Sequence, residues 1–127
     1  MKLILPLPLS LIYFVPLIFS NEFILIKLIS KATIDTVFET ARVEEVIGDF
    51  VNLKRAGSNF KGLSPFSEER SPSFMVSPAK GIWKDFSSGK GGNSVAFLME
   101  HEQFTYPEAI RYLAKKYNIE IEETEQT

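Results

Sequence analysis

Residues 59–99 constrain the fold more than any other stretch, because short β-type runs occur there in a chain that has no cysteine at all. The runs at 59–63, 73–76 and 81–86 are each only a few residues long. Turn-forming Gly, Pro and Ser separate them, and they carry Phe60, Phe74, Trp83 and Phe86. A chain of 127 residues has room for one small domain with a modest core. Small β-rich domains are commonly pinned by disulfides or by thiolate-bound metal, and without cysteine both devices are excluded. Zinc sites are built from Cys, His and carboxylate ligands, and His101 is the single histidine. Its place in the sequence pattern is that of a surface or helix-end residue.

The patterning on either side is helical. Thr33 is the expected cap of a helix with Ile34, Val37, Phe38 and Ala41 on one face. A second short helix over 43–50 turns Val43, Val46 and Ile47 inward. β-type patterning then runs over 51–54 and 59–63 about a turn at Arg55-Ala56-Gly57-Ser58. Two more strands, 73–76 and 81–86, are joined by Ser77-Pro78-Ala79-Lys80, and Glu68-Glu69-Arg70-Ser71-Pro72 reads as a loop. Asn93 or Ser94 caps a helix that buries Val95, Leu98 and Met99. Thr105-Tyr106-Pro107-Glu108 has capping-box spacing, with proline in the tolerated first turn. The helix it opens buries Ala109, Ile110, Leu113, Ala114 and Tyr117, and Asn118 is its left-handed stop. The expected class is α+β: a small antiparallel sheet flanked by short helices.

Charge is unevenly spread beneath a net −2. Residues 51–92 hold seven basic side chains (Lys54, Arg55, Lys61, Arg70, Lys80, Lys84, Lys90) against three acidic ones, a balance of +4. Residues 93–127 hold three basic against seven acidic, or −4. A basic middle interleaved with aromatics suits a surface that meets phosphates and stacks on bases. A solvated sheet over an aromatic core is the bland alternative, and composition alone favours it.

The first 27 residues differ in kind. Met1-Lys2 precedes an uncharged run, 3–19, that carries Pro6, Pro8 and Pro16. A positive start and an apolar stretch imitate a secretory signal or an anchor, although three prolines make a poor membrane span. The reading adopted is that residues 1–27 are translated upstream sequence and that the start lies at Leu28.

Three elements occur in order: Asn59-Phe60-Lys61-Gly62-Leu63-Ser64-Pro65-Phe66, Ser71-Pro72-Ser73-Phe74 and Gly89-Lys90-Gly91-Gly92-Asn93-Ser94. With the closing segment from Tyr106 to Glu120 they resemble the N-terminal zinc ribbon, of Cys-His-Cys-Cys type, of bacterial DnaG-type DNA primases. That family reads Cys-Pro-Phe-His in the first ligand pair and Cys-Phe-Gly-Cys in the second. This chain keeps two residues inside each pair and seventeen between the pairs, but the four positions hold Ser64, Ser67, Asp85 and Ser88.

The resemblance implies a zinc-ribbon-like domain over 28–121, here metal-free and without a cofactor, followed by the start of an acidic linker over 122–127. The family's polymerase and helicase-binding domains follow the ribbon, so the chain reads as a fragment. The implied function is a cytoplasmic module that binds single-stranded template DNA during RNA primer synthesis in replication. Its contacts would be Lys54, Arg55, Lys61, Arg70, Lys80, Lys84 and Lys90, with Phe74 or Trp83 as stacking ring. The alternative is a protein-interaction module that docks on the primase polymerase domain in cis or in trans. The replicative helicase would be reached through other domains, and no membrane partner is implied.

No activity is expected of the chain alone, since one histidine and no cysteine leave no nucleophile–base pair. The parent would be a DNA primase, a nucleotidyltransferase. Gly89-Lys90-Gly91-Gly92 ahead of a helix resembles a phosphate-binding turn, yet lacks the Gly-Lys-Ser/Thr ending of a Walker loop. In place of zinc, Leu63, Phe66, Trp83 and Phe86 are expected to pack the two ligand loops, with Ser64, Ser67 and Ser88 hydrogen-bonding across them and Asp85 accepting from their hydroxyls or from backbone N–H groups.

Overall fold

The computed structural model describes residues 29–68 and 71–123. The apolar leader, Arg70 and residues 124–127 of the acidic tail lie outside the described residues. The first helix, α1 (Lys31–Thr40), begins earlier than the sequence suggests, because Ser30 and not Thr33 caps it. The Ser30 hydroxyl oxygen accepts the Thr33 N–H at 3.0 Å. Thr33 is buried, and its own hydroxyl accepts the Glu122 N–H at 2.9 Å. The Ser30 N–H in turn donates to the Glu122 carbonyl at 2.8 Å, and Ile29 bridges Glu123. Glu122 and Glu123, expected to open the linker, are thus tied to the start of the domain.

Helix α2 (Val43–Gly48) buries Val43, Val46 and Ile47, as its spacing predicts. The strands follow as β1 (Lys54–Ala56), β2 (Asn59–Gly62), β3 (Phe74–Ser77), β4 (Ile82–Asp85) and β5 (Gly91–Gly92). They form one antiparallel meander in the order β1-β2-β3-β4-β5. Two boundaries differ from expectation. Pairing begins at Lys54 and takes in Arg55 and Ala56, leaving Gly57 and Ser58 as the turn. Gly91 and Gly92 pair with Lys84 and Trp83 as a fifth strand. A Cβ on Gly91 would lie 2.9 Å from the Trp83 carbonyl oxygen, and one on Gly92 would lie 2.6 Å from Ala96 Cβ. Close approach of the β4 backbone at Gly91 and of the Ala96 side chain at Gly92 therefore accounts for these two glycines.

Helix α3 (Ser94–His101) is capped by Asn93, whose side chain accepts the Ala96 N–H at 2.8 Å. It lies between the sheet and the remaining helices, so it buries two faces. Phe97 joins Phe74, Val76, Trp83, Val43, Ile47 and Val51 beneath the sheet. Val95 and Leu98 join Val37, Val46, Ile110 and Leu113 on the helical side. The single stripe expected of α3 is corrected accordingly: Phe97 is fully buried and Met99 is exposed. Helix α4 (Tyr106–Lys116) has the complete Thr105–Glu108 capping box and buries Ala109, Ile110, Leu113 and Ala114. Asn118 follows at φ 57°, the expected left-handed stop. The Tyr117 hydroxyl accepts the Arg42 N–H and donates to Glu45, joining the end of α4 to the start of α2. Burial pushes that hydroxyl up to about 12. No helix among the described residues is long and apolar enough to cross a membrane.

Candidate nucleic-acid face and the loops that frame it

Strand alternation divides the sheet residues between two faces. Phe60, Gly62, Phe74, Val76, Trp83 and Asp85 point toward the helices. Lys54, Asn59, Lys61, Met75, Ser77, Ile82 and Lys84 point away. Register then sets the outer residues in rows. Lys54 pairs with Lys61, Lys61 with Met75, Met75 with Lys84, and Lys84 with Gly91. One line across all five strands therefore carries three lysines, from β1, β2 and β4. Lys84 also donates to the Gly89 carbonyl at 3.1 Å. Lys80 sits in the exposed β3–β4 turn, at the end of the same face.

Other expected contact residues fall elsewhere. Arg55 is on the opposite parity, and its guanidinium lies 4.9 Å from the centre of the Phe60 ring. Lys90 pairs with Glu100 and approaches the Phe66 ring at 5.6 Å. Arg70 lies outside the described residues. Phe74 and Trp83, expected as stacking rings, are corrected: they are 0% and 1% exposed. They pack on each other at 5.6 Å, and Trp83 donates from Nε1 to the Asn93 carbonyl at 2.8 Å. A ring enclosed on both sides offers no face to a base.

The exposed ring beside this face is Phe86, at 66%. The sequence reading assigned it to core packing because it stands beside a former ligand position. Parity was the available signal, since Phe86 is two residues from Lys84 and so shares its face. Its N–H donates to the Ser73 carbonyl at 2.9 Å, which extends the β3–β4 register by one residue. Leu63 was also expected inside and is 51% exposed, so the apolar packing of the loops falls to Phe66 and Trp83. Phe66 stacks on Trp83 at 5.5 Å and meets Phe97 edge-on at 6.0 Å. His101, at the end of α3, is not a free surface residue: its ring stacks on Phe97 at 5.0 Å.

At the edge of the sheet the two loops, 64–67 and 85–88, meet around one carboxylate. Asp85 is fully buried. Its Oδ2 accepts from Ser64 Oγ at 2.7 Å and from Ser88 Oγ at 2.6 Å. The Ser87 hydroxyl donates to Oδ1 at 3.0 Å, and Ser67 and Ser87 share a hydrogen bond at 2.7 Å. The serine oxygens also receive backbone donors: Phe66 N–H reaches Ser64 Oγ at 3.0 Å, and Lys90 N–H reaches Ser88 Oγ at 3.3 Å. Gly89, at φ 83°, closes the second loop by donating to the Asp85 carbonyl at 2.7 Å. Burial is the largest single influence on the Asp85 carboxyl and pushes it up. The hydroxyls of Ser88, Ser64 and Ser87 and the Ser87 N–H together outweigh burial, and they hold the group below its ordinary value.

The donor set does not fit zinc. Three neutral hydroxyls and one carboxylate lack the thiolate and imidazole ligands that the ion prefers. The Ser64 and Ser88 hydroxyls, moreover, donate to Asp85, and Ser67 is paired with Ser87. Among the described residues no three His, Cys, Asp or Glu side chains cluster as a metal site.

Comparison with known proteins connects this geometry to a lineage. The CHC2 zinc-finger model matches residues 29–127. The DNA primase of Listeria innocua is 42% identical over 94 residues, which are 74% of this chain and 15% of that protein. The DNA primase of Helicobacter pylori is 40% identical over 95 residues, 75% of this chain and 17% of that protein. The crystal structure of the zinc-binding and RNA polymerase domains of Aquifex aeolicus primase superimposes with a TM-score of 0.65 at 35% identity. That match covers 74% of this chain and 22% of the other. The chain therefore spans only about one sixth of the length of these curated relatives. On this evidence of sequence and fold, the chain belongs to the CHC2 zinc-finger family, the zinc-ribbon domain of DnaG-type DNA primases.

Proposed function

We propose that the chain is the single-stranded template-binding module of a bacterial DNA primase, acting in the cytoplasm during RNA primer synthesis, and that it holds its two loops without a metal. The observation that carries the first part is the line of Lys54, Lys61 and Lys84 across the outer face of the sheet. Their cross-strand register sets positive charge along one direction, which suits a polyanion crossing the strands. Polymerisation itself belongs to the polymerase domain of such proteins, with which this module would work in cis or in trans. The second part is supported by the donor set: Ser64, Ser67, Asp85 and Ser88, the positions that the resemblance assigns to the family's zinc ligands, offer three hydroxyls and one carboxylate.

Binding of a fluorescein-labelled single-stranded oligonucleotide to the full chain, across a salt series, tests the first part. Three phosphate contacts predict a slope of log K against log salt of about −2. The double variant K61E/K84E should bind at least about tenfold more weakly with its melting temperature unchanged. The exposed Leu63, Ile82 and Phe86 support a competing role, docking on the polymerase domain. That role prevails if charge reversal spares DNA binding and abolishes association with that domain. Metal analysis of the purified chain, with thermal unfolding in the presence and absence of a chelator, tests the second part. Metal-free protein that melts cooperatively and ignores the chelator is expected; stoichiometric zinc would overturn it.

A further inference from the structure

The lysine line leaves the apolar half of the outer face without a role. Beside it runs an open groove of about 410 Å³ across β2, β3 and β4. Met75 and Ile82 form its apolar part, Phe86 contributes an exposed ring, and Asn59 and Ser77 supply polar side chains. Lys84 lies between Ile82 and Phe86 on β4, so a cation accompanies the apolar surface.

The ring of Phe86 owes its position to its neighbours in the chain. Asp85 is drawn inward by Ser64 and Ser88, and the Phe86 N–H is held by Ser73. Alternation then directs the next side chain outward, at the junction of the sheet with the hydrogen-bonded loops. Leaving a phenylalanine two-thirds exposed forfeits the burial that normally stabilises such a side chain, so a ligand for its face is the economical explanation.

We infer that this groove is a nucleobase subsite: a base of the bound strand stacks on Phe86, and Lys84 meets the adjoining phosphate. This rests on the template-binding reading and adds to it a site for the base. Aromatic stacking tolerates any base because each has a π-face.

The test uses the full chain and two oligonucleotides of equal length and charge, one with normal bases and one with abasic positions. The wild type should bind the base-bearing strand about 5- to 100-fold more tightly than the abasic strand. Phe86→Ala should lose most of that preference while keeping its abasic affinity and salt slope. Phe86→Trp should retain it, and unchanged melting of both variants will show that the fold is intact. Equal affinity of the wild type for the two strands, or an undiminished preference in Phe86→Ala, overturns the subsite and leaves the lysine line standing. Failure of the wild type to bind either strand overturns both readings.

Discussion

The two faces of the sheet are built from the same few residues and do opposite things. Along Ile82-Trp83-Lys84-Asp85-Phe86, the second and fourth side chains are buried and the other three are exposed. On the inner face, Trp83 joins an aromatic cluster and Asp85 joins the two loops. On the outer face the same strand presents an aliphatic side chain, a cation and an aromatic ring. A polar side chain sits inside because it is fully hydrogen-bonded, and an apolar one sits outside, exposed among the described residues. Hydrophobicity alone does not sort these five residues; parity and hydrogen bonding do.

Substitutions on the inner face should therefore destabilise the fold, and substitutions on the outer face should leave it intact. The largest effect is expected from Trp83→Ala, which removes a fully buried ring and its hydrogen bond to Asn93. A loss of about 3–5 kcal/mol is expected in denaturant unfolding. A loss below about 1 kcal/mol would mean that the cluster does not organise the sheet.

Asp85→Ala should follow, at about 2–4 kcal/mol, because the buried Ser64 hydroxyl loses its acceptor and the bonds from Ser87 and Ser88 are lost with it. Asp85→Asn keeps one acceptor oxygen but directs an amide donor at hydroxyl donors, so it should fall between the wild type and alanine. If the alanine variant were as stable as the wild type, apolar packing alone would hold the loops.

A pH series refines the same point. The folded Asp85 carboxyl lies below its ordinary value, so the folded state binds that proton less readily than the unfolded chain. The contribution of Asp85 is then fully present above the unfolded value of about 4 and is lost as pH falls through the lower folded value. Chemical unfolding between about pH 6 and pH 2.5 should show the wild type losing this increment, and Asp85→Asn should show a shallower decline. Identical pH profiles would remove the carboxylate from the account.

The smallest effect on stability belongs to the outer face. Lys61→Glu and Lys84→Glu should each change stability by no more than about 0.5 kcal/mol, although oligonucleotide affinity falls. A large drop in melting temperature would place those lysines among the residues that hold the sheet together.

Much of this was legible in the sequence. The capping box at Thr105 and the left-handed Asn118 follow from local spacing, and the antiparallel α+β class from the alternation of short runs. The donation from Ser64 and Ser88 to Asp85 follows from the family resemblance, whereas Ser67, expected to join them, bonds Ser87 instead. What escaped depended on partners remote in sequence. Ser30 rather than Thr33 caps α1 because the segment at Glu122 holds both residues. Gly91 and Gly92 form a strand only because Trp83 and Lys84 lie alongside. Phe74 and Trp83 fail as stacking rings because the β3–β4 register and the helices packed on that face bury them, neither of which residue type reveals. The alignment of Lys54, Lys61 and Lys84 required the register of four strands, which spacing alone does not supply.

The most direct test of the division between the faces is an amide chemical-shift titration of the full chain with a short single-stranded oligonucleotide. The account predicts shifts concentrated on Lys54, Lys61, Met75, Lys84 and Phe86 and reduced in high salt, with the amides of α1 and α4 unmoved. Shifts centred on the helices, or unaffected by salt, would contradict it.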